Sequence, residues 1–132
     1  WDSFEHIKDG LECLIDCKKI LKKGGIVFLQ CPSRDALALK ILQEKCNMLD
    51  GLEHVNIYRK KSLLKLCERA NSKILDFETI ISEIGIINNY LNFDDPYLGY
   101  TENAEILFDI IDEEKIHENK LGYKFQVCIK FE

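Results

Sequence analysis

Hydrophobic and polar residues recur along the chain with helical spacing in three segments. The first predicted helix begins at Asp9, whose side chain can cap the free backbone amides, and ends at Gly24. A second helix is predicted from its candidate cap Ser33 towards Met48, and a third over about residues 61–70. The chain therefore carries at least three amphipathic helices.

Three other segments have the pattern of β-strands. The continuous apolar run 25–31, which Pro32 ends, is typical of a strand covered on both faces in a parallel sheet, and we expect it at the centre of that sheet. Residues 73–81 and 123–131 alternate apolar and polar side chains, which predicts strands with one wetter face. A long insertion, about residues 83–122, separates these two strands and carries an aromatic, acidic loop and an amphipathic helix.

Length, charge and composition narrow the function classes. The 132 residues, 46% of them hydrophobic, suffice for one compact domain. A net charge of −5 argues against a broad phosphate-binding surface, so nucleic acid is not the expected partner. We find no apolar run long enough to span a membrane and no secretory signal, and we expect a cytoplasmic protein with no membrane contact.

The cysteines are interpreted as reduced thiols rather than as a disulfide framework or a metal knuckle. Several of the six lie among apolar residues of periodic segments, where cysteine behaves as a small core residue. Cys13 and Cys17 have helical spacing, and no second pair follows at a zinc-site interval. A structural zinc site is therefore not expected.

The opening of the chain carries the most specific motifs. Residues 4–7 read Phe-Glu-His-Ile, and residues 20–25 read Ile-Leu-Lys-Lys-Gly-Gly before the apolar run. This order resembles the second half of a class I S-adenosylmethionine-dependent methyltransferase, in which Glu-His follows the fourth strand and Leu-Lys-Pro-Gly-Gly precedes the fifth. Lys23 stands in place of that proline. A His-x-x-x-Tyr-x-x-x-Ser-Leu segment at residues 54–63 extends the resemblance.

The resemblance implies an α/β, Rossmann-like methyltransferase fold. Residues 1–132 would be the carboxyl-terminal part of one such domain, with strands five to seven and the seventh antiparallel between the other two. The implied cofactor is S-adenosylmethionine, whose glycine-rich loop and acidic ribose ligand lie on the family's first two strands. No G-x-G-x-G occurs here, and Met48 is the only methionine. We therefore expect a fragment that is inactive alone, with a missing amino-terminal part that binds the cofactor.

Asp2, Glu5 and His6 resemble a metal-binding motif. Their spacing is similar to the Glu-x-x-Glu-His sequence with which ubiquinone-pathway O-methyltransferases and small-RNA 2′-O-methyltransferases bind a divalent ion. Two carboxylates and an imidazole suit magnesium or manganese, and the resemblance adds His54 as a fourth ligand. The alternatives are a polar cluster that contacts substrate and a purely structural set of hydrogen bonds.

The catalytic candidates are His6, His54 and Tyr58. The last two lie in a segment that resembles the loop bordering the family's active site, where a histidine can act as a base near neutral pH. The alternative for His54 is a loop histidine that pairs with Glu53 or with a backbone carbonyl. His117, in a charged stretch, is interpreted as a solvated residue.

Substrate contacts are expected from Glu5, from the catalytic candidates and from three further residues. Pro32 and Ser33 end the predicted buried strand, where open α/β sheets place their ligands, although Ser33 can equally be a helix cap. Tyr97 lies in the aromatic loop, which is either a substrate-selecting lid or an ordinary solvated loop. We expect a small-molecule or glycan-type acceptor, methylated on oxygen, nitrogen or carbon.

Two other functions compete with this interpretation. The chain can be a noncatalytic α/β interaction module that uses the insertion to contact a partner, or an enzyme similar to the metal-dependent RNA 2′-O-methyltransferases. An upstream G-x-G-x-G would distinguish the first from a methyltransferase. Metal dependence and a basic groove would mark the second. The sequence does not define the oligomeric state.

Overall fold

The computed structural model describes residues 1–81, 87–88, 91 and 112–132. Its elements, in order, are α1 (Gly10–Ile20), β1 (Ile26–Pro32), α2 (Leu37–Leu42), α3 (Lys60–Arg69), β2 (Ser72–Ile80), α4 (Glu113–Glu118) and β3 (Lys124–Phe131). Single turns of 3-10 helix lie at Phe4–His6, Gln43–Lys45 and Asn47–Leu49. Within the described ranges, no helix combines the length and the apolar character that crossing a membrane requires.

The three strands form one sheet in the order β1-β3-β2. β3 runs antiparallel to both neighbours, so that Val127 faces Leu29 on one side and Phe77 on the other. β1 and β2 therefore run parallel to each other, and their carboxyl ends lie at the same end of the sheet. The described residues form a mixed α/β domain, as expected.

The position of β1 differs from the prediction. Among the described strands β3 is central, whereas β1 lies at an edge, and Ile26 and Phe28 are 50% and 42% exposed. The reason is that α1 and α3 cover only one face of this sheet, the face that carries Leu29 and Cys31. The apolar run therefore marks a strand with one covered face and a second face that is exposed at Ile26 and Phe28 but buried at Gln30 and Pro32.

Two hydrophobic clusters hold the domain together. The larger packs Leu14 of α1 and Leu63 of α3 against the covered face of the sheet. The smaller joins Leu39 of α2 to Met48 and to Tyr123, which directly precedes β3. The segment after β1 is thereby fixed to the end of the sheet from which β3 begins.

The second helix is much shorter than predicted. α2 ends at Leu42, Gln43 has a positive φ of 50°, and two 3-10 turns replace the rest of the predicted helix. Ser33 does not cap it, because Ala36 is the residue at the cap position and the Ser33 hydroxyl accepts a hydrogen bond from the Asp35 amide at 3.2 Å. The apolar spacing was misleading because Leu42, Cys46 and Met48 are buried without a continuous helix.

Other elements lie close to their predicted positions. Asp9 caps α1 by accepting the Glu12 amide at 3.0 Å, although the helix ends at Ile20 and Gly24 lies in the turn beyond it. α3, β2 and β3 agree with prediction to within one residue at each end. The predicted aromatic loop and the predicted amphipathic helix of the insertion lie outside the described residues.

Candidate functional site

The structure brings together three of the predicted site residues. Glu5 and His6 lie on the first 3-10 turn, and His54 lies in the loop before α3. One candidate ligand atom from each residue lies within 4.8 Å of the other two, and the histidine ring centroids are 5.1 Å apart. We call these three residues the Glu5 cluster.

Backbone hydrogen bonds position the cluster beside the carboxyl-terminal half of β1. The Asp2 amide donates to the Gln30 carbonyl at 3.1 Å, which attaches the first turn to the strand. The Asn56 amide donates to the Glu5 carbonyl at 3.0 Å, and the Asn56 side chain donates to the Ile7 carbonyl at 2.7 Å. Asn56 therefore joins the two segments that carry the cluster.

The role of Asn56 was not predicted. The available signal was an asparagine between Val55 and Ile57 in a loop, because asparagine side chains commonly bond to nearby backbone groups. The pattern gave no indication that the bonded backbone lies 49 positions earlier in the chain. Such a contact depends on tertiary structure rather than on local sequence.

Backbone carbonyls fix the tautomer of both histidines in the cluster. Nδ1 of His6 lies 2.7 Å from the Glu53 carbonyl oxygen, and Nδ1 of His54 lies 2.9 Å from that of Met48. A carbonyl oxygen only accepts hydrogen bonds, so each Nδ1 must carry the donated proton. In the neutral imidazoles Nε2 then keeps its lone pair, and the cluster contains two basic nitrogens.

Asp50 supports His54 from the other side of the loop. Its carboxylate accepts the backbone amides of Leu52, Glu53 and His54 at 2.9, 3.0 and 3.3 Å. These bonds, with that of Leu52 the strongest, lower the pKa of Asp50 from its ordinary value. A carboxylate oxygen consequently lies 3.4 Å from Nδ1 of His54, where it favours donation from that nitrogen.

Glu5 is the buried acidic member of the cluster. It is 1% exposed, and its Oε1 lies 4.0 Å from Nε2 of His6, too far for a hydrogen bond. Its Oε2 is buried and has no hydrogen-bond partner among the described residues. Burial of an unsatisfied carboxylate oxygen is energetically costly, so this atom is suited to receive a cation or a hydrogen bond from a ligand.

Asp2, which the motif resemblance offered as a candidate metal ligand beside Glu5 and His6, does not join the cluster. Its carboxylate lies 2.8 Å from Nζ of Lys124 and 3.3 Å from the side-chain amide of Gln30. Burial raises the pKa of Asp2, but the hydrogen bonds from Lys124 and Gln30 and the lysine charge together lower it below its ordinary value. The Asp2 carboxylate is thus bound by side chains of β3 and β1. Asp2 anchors the first turn to the sheet and does not contribute to the cluster.

Tyr58 packs against the hydrophobic core. Its ring stacks on Phe4 at 5.1 Å, and its hydroxyl lies against Gly10, where a side-chain carbon would collide with it. Burial, followed by the nearby Cys31, Cys13 and Asp9, raises the pKa of Tyr58 to about 12. A phenol with this pKa keeps its proton at neutral pH, so Tyr58 is not suited to act as a base there, and in the structure its ring packs against Phe4.

The remaining predicted contacts have structural roles or lie outside the described residues. Pro32 and Ser33 are buried, and the Ser33 amide donates to the Tyr123 carbonyl at 2.9 Å. Burial, and then the charges of Glu5 and Asp2, raise the pKa of the adjacent Cys31 thiol to about 12, so Cys31 remains protonated at neutral pH. Tyr97 falls outside the described ranges.

His117 is half-buried rather than solvated, so that prediction was wrong. Its Nδ1 lies 3.1 Å from the Thr79 hydroxyl, and its Nε2 lies 3.8 Å from a carboxylate oxygen of Glu113. The close approach depends on Gly122, because an added Cβ there would lie 2.7 Å from Cβ of Thr79 and 2.9 Å from Nδ1 of His117. The charged sequence around His117 gave no indication of this contact between α4 and β2.

The described glycines do not form a cofactor cradle. A nucleotide-type cofactor needs glycines whose missing side chains leave backbone open to its phosphate or sugar. Gly24 and Gly51 lie in open turns with no neighbouring atoms, and packed groups close off the other three described glycines, Gly10, Gly25 and Gly122. These residues therefore do not fit S-adenosylmethionine as a complete site.

The fold and the site define a mixed α/β domain with a polar cluster beside the carboxyl-terminal half of β1. A family model described as a methyltransferase domain matches residues 1–76, more than half of the chain. The chain belongs to this methyltransferase-domain family, whose members generally use S-adenosylmethionine. The matched region includes the whole Glu5 cluster. Among curated proteins, no sequence matches this chain.

Proposed function

We propose that this chain is the acceptor-side, carboxyl-terminal part of an S-adenosylmethionine-dependent methyltransferase domain. Membership of the family supports the reaction class, and the order β1-β3-β2 with an antiparallel central strand supports assignment to strands five to seven. The five described glycines form no cradle, which supports a cofactor site that other residues supply in the main. S-adenosylmethionine supplies the methyl group when it is bound there.

The Glu5 cluster is the proposed site for the methyl acceptor. The observation that carries this proposal is the pair of imidazoles whose Nδ1 atoms are fixed as donors by carbonyls, so that Nε2 of each neutral ring keeps the lone pair that can accept a proton. Methylation of a hydroxyl or an amine requires loss of a proton from the acceptor, and a positioned histidine can remove it. Asp50 beside Nδ1 of His54 would stabilise the imidazolium that results.

The proposed acceptor is a small molecule or a glycan-type compound that bears a hydroxyl or an amine. Oε2 of Glu5 can accept a hydrogen bond from such a donor and orient it towards the histidines. The net charge of −5 does not favour a long phosphate backbone as substrate.

Titration calorimetry tests this proposal. S-adenosylmethionine and S-adenosylhomocysteine would be titrated into the 132-residue chain and into a longer form that includes the preceding coding sequence. We expect binding by the longer form and little or none by the shorter one. Absence of binding to both forms would contradict the proposal and favour the noncatalytic interaction module.

A further inference from the structure

We propose that Cys13 and Cys17, the thiol pair of α1, bind one soft monovalent metal ion, for which Cu(I) is the representative. The site is separate from the Glu5 cluster, and the inference goes beyond the proposed function because it does not depend on methyl transfer. The observation that carries it is the position of two half-buried thiols, one helical turn apart, beside an open groove.

α1 presents both thiols on the same side. The helix spans Gly10–Ile20, so the two cysteines lie four positions apart inside a regular helix. Residues at this spacing have Cβ atoms about 5–6 Å apart, and their side chains are neighbours on the helix surface. Leu14, which is 1% exposed, packs α1 against the core. The pair is therefore carried by a helix whose position in the fold is fixed.

An open groove gives a ligand access to the thiol pair. Its volume is about 810 Å³, and both thiols line it together with the apolar side chains of Ile7 and Ile20 and with Lys8. Two thiolates and one monovalent cation form a complex with a net charge of −1. The Lys8 ammonium lines the same groove, where it would offset part of this charge.

The charge state of the pair favours metal binding over oxidation. Burial raises the pKa of the Cys13 thiol, and the neighbouring Cys17 and then Asp16 raise it further. Cys13 therefore keeps its proton at neutral pH, and a protonated thiol reacts slowly with oxidants. A soft ion can still displace the protons, because metal binding to cysteine is coupled to their release. Two S–H bonds break, two Cu–S bonds form and two protons leave, with no change in oxidation state.

The small number of ligands selects the class of ion. Structural zinc sites are closed by four ligands. Among the described residues, the Glu5 cluster is the one group of three or more close His, Cys, Asp or Glu side chains, so none of these joins the thiol pair as a third ligand. Soft thiolate ligands select Cu(I), and a pair of them suits this ion better than it suits zinc.

The first experiment is an anaerobic titration of the reduced chain with Cu(I), added as its acetonitrile complex in competition with the coloured chelator bicinchoninate. Cys128 is also half-buried, so the parent for this experiment carries Cys128→Ser, and the other three cysteines are at most 1% exposed. We expect one Cu(I) per chain. Cys13→Ser and Cys17→Ser should each weaken the affinity at least about 100-fold, since loss of an outer-shell group alone can cost that much.

A matched control changes the groove without removing a thiol. Asp16→Asn alters a residue that lines the groove, and it should change the Cu(I) affinity by no more than about fivefold, as expected for a charge near the surface. An equal loss in Asp16→Asn and in Cys13→Ser would overturn the proposed ligand pair. Zinc sulfate titrated into the same parent tests the class of ion, and zinc binding that is lost in Cys13→Ser and is as tight as Cu(I) binding would contradict it.

A measurement on the parent chain avoids any dependence on variant folding. X-ray absorption at the copper edge distinguishes sulfur ligands from nitrogen ligands, and we expect two sulfur neighbours and no nitrogen neighbour. Copper bound by nitrogen would place the ion at histidines and overturn the inference, as would an absence of Cu(I) binding in competition with bicinchoninate. Neither measurement uses S-adenosylmethionine, so the outcome is independent of cofactor binding by the longer form.

Discussion

The Glu5 cluster and the His117 region hold their histidines with different partners. In the cluster, backbone carbonyls lie at Nδ1 of both histidines, and the Asp50 carboxylate lies beside Nδ1 of His54. In the His117 region, the Thr79 hydroxyl lies at Nδ1. A carboxylate oxygen lies 4.0 Å from Nε2 of His6 and 3.8 Å from Nε2 of His117, so the two regions differ in the partner at Nδ1 rather than at Nε2.

This contrast shows why the identity of the partner matters more than the number of partners. A carbonyl can only accept, so it fixes the histidine tautomer, whereas a hydroxyl can donate or accept and does not. The Glu5 cluster is accordingly organised for chemistry at Nε2, and the His117 contact is organised to join α4 to β2. Four predictions test this difference.

The largest expected effect is on methyl transfer. In the longer form that binds the cofactor, His54→Gln should lower the rate of tritium transfer from labelled S-adenosylmethionine by about 100-fold or more, because a positioned base contributes that much. His117→Gln should leave the rate within about twofold. Equal rates for both variants would contradict the proposed role of His54.

The second prediction concerns the space that Gly122 provides. Gly122→Ala should lower the free energy of unfolding by about 1–3 kcal/mol, because its Cβ would lie 2.7 Å from Cβ of Thr79 and 2.9 Å from Nδ1 of His117. Urea denaturation measures this change, with the exposed Glu118→Ala as a control on α4.

A smaller effect is expected when the hydroxyl of Thr79 is removed. Thr79→Val keeps the side-chain shape but leaves Nδ1 of the half-buried His117 without its observed partner. The expected loss is about 1 kcal/mol in the free energy of unfolding. Thr79→Ser keeps the hydroxyl and is the matched control for hydrogen bonding. A similar loss in both variants would assign the effect to packing and not to the hydrogen bond.

The smallest effect is expected at Asp2, which anchors the turn that carries Glu5 and His6. The pair with Lys124 is partly exposed, so Asp2→Asn should cost no more than about 1 kcal/mol at pH 7. Because the folded pKa of Asp2 is lowered, its contribution is present above the ordinary carboxyl value of 3.8 and is lost as the pH falls through the folded pKa.

Urea denaturation at pH 7 and at pH 3 measures this dependence on Asp2. The difference between parent and variant should shrink at the lower pH. Asp16→Asn, which removes the exposed pair with Lys19 on α1, is the control for a general loss of charge. A difference that grows at pH 3 would contradict the direction given for the pKa of Asp2.

The elements that were predicted best are those in which the hydrophobic pattern of the local sequence corresponds to the side chains that are buried in the fold. In β3, Phe125, Val127 and Ile129 face the core, and the alternation in sequence corresponds to the observed strand. The α2 segment failed for the opposite reason. Cys46 and Met48 are buried as their spacing suggests, but they follow the end of α2, where Gln43 has a positive φ and short 3-10 turns replace the helix. The hydrophobic periodicity indicates which side chains are buried. It predicts a helix correctly only where the backbone keeps its helical conformation along the whole segment.

In the candidate site, too, some residues were predicted correctly from the sequence and others were not. The resemblance selected Glu5, His6 and His54, which the structure places together although 48 positions separate the last two. It also selected Asp2, whose actual partner Lys124 lies 122 positions away. Residue types therefore identified the candidate site residues. Whether the Asp2 carboxylate joins them or pairs with Lys124 depends on tertiary contacts, which the local spacing of residues does not indicate.

The link between Asp2 and Lys124 also has a consequence for the order of folding. Contacts between residues far apart in sequence require closure of a long loop, and they tend to form late. β3 is the central strand of the described sheet, so β1 and β2 gain their pairing partner only when β3 is in place, and only then can Lys124 reach Asp2. During synthesis, the link between the first turn and β3 can therefore form only after Lys124 has left the ribosome, about 120 residues after Asp2.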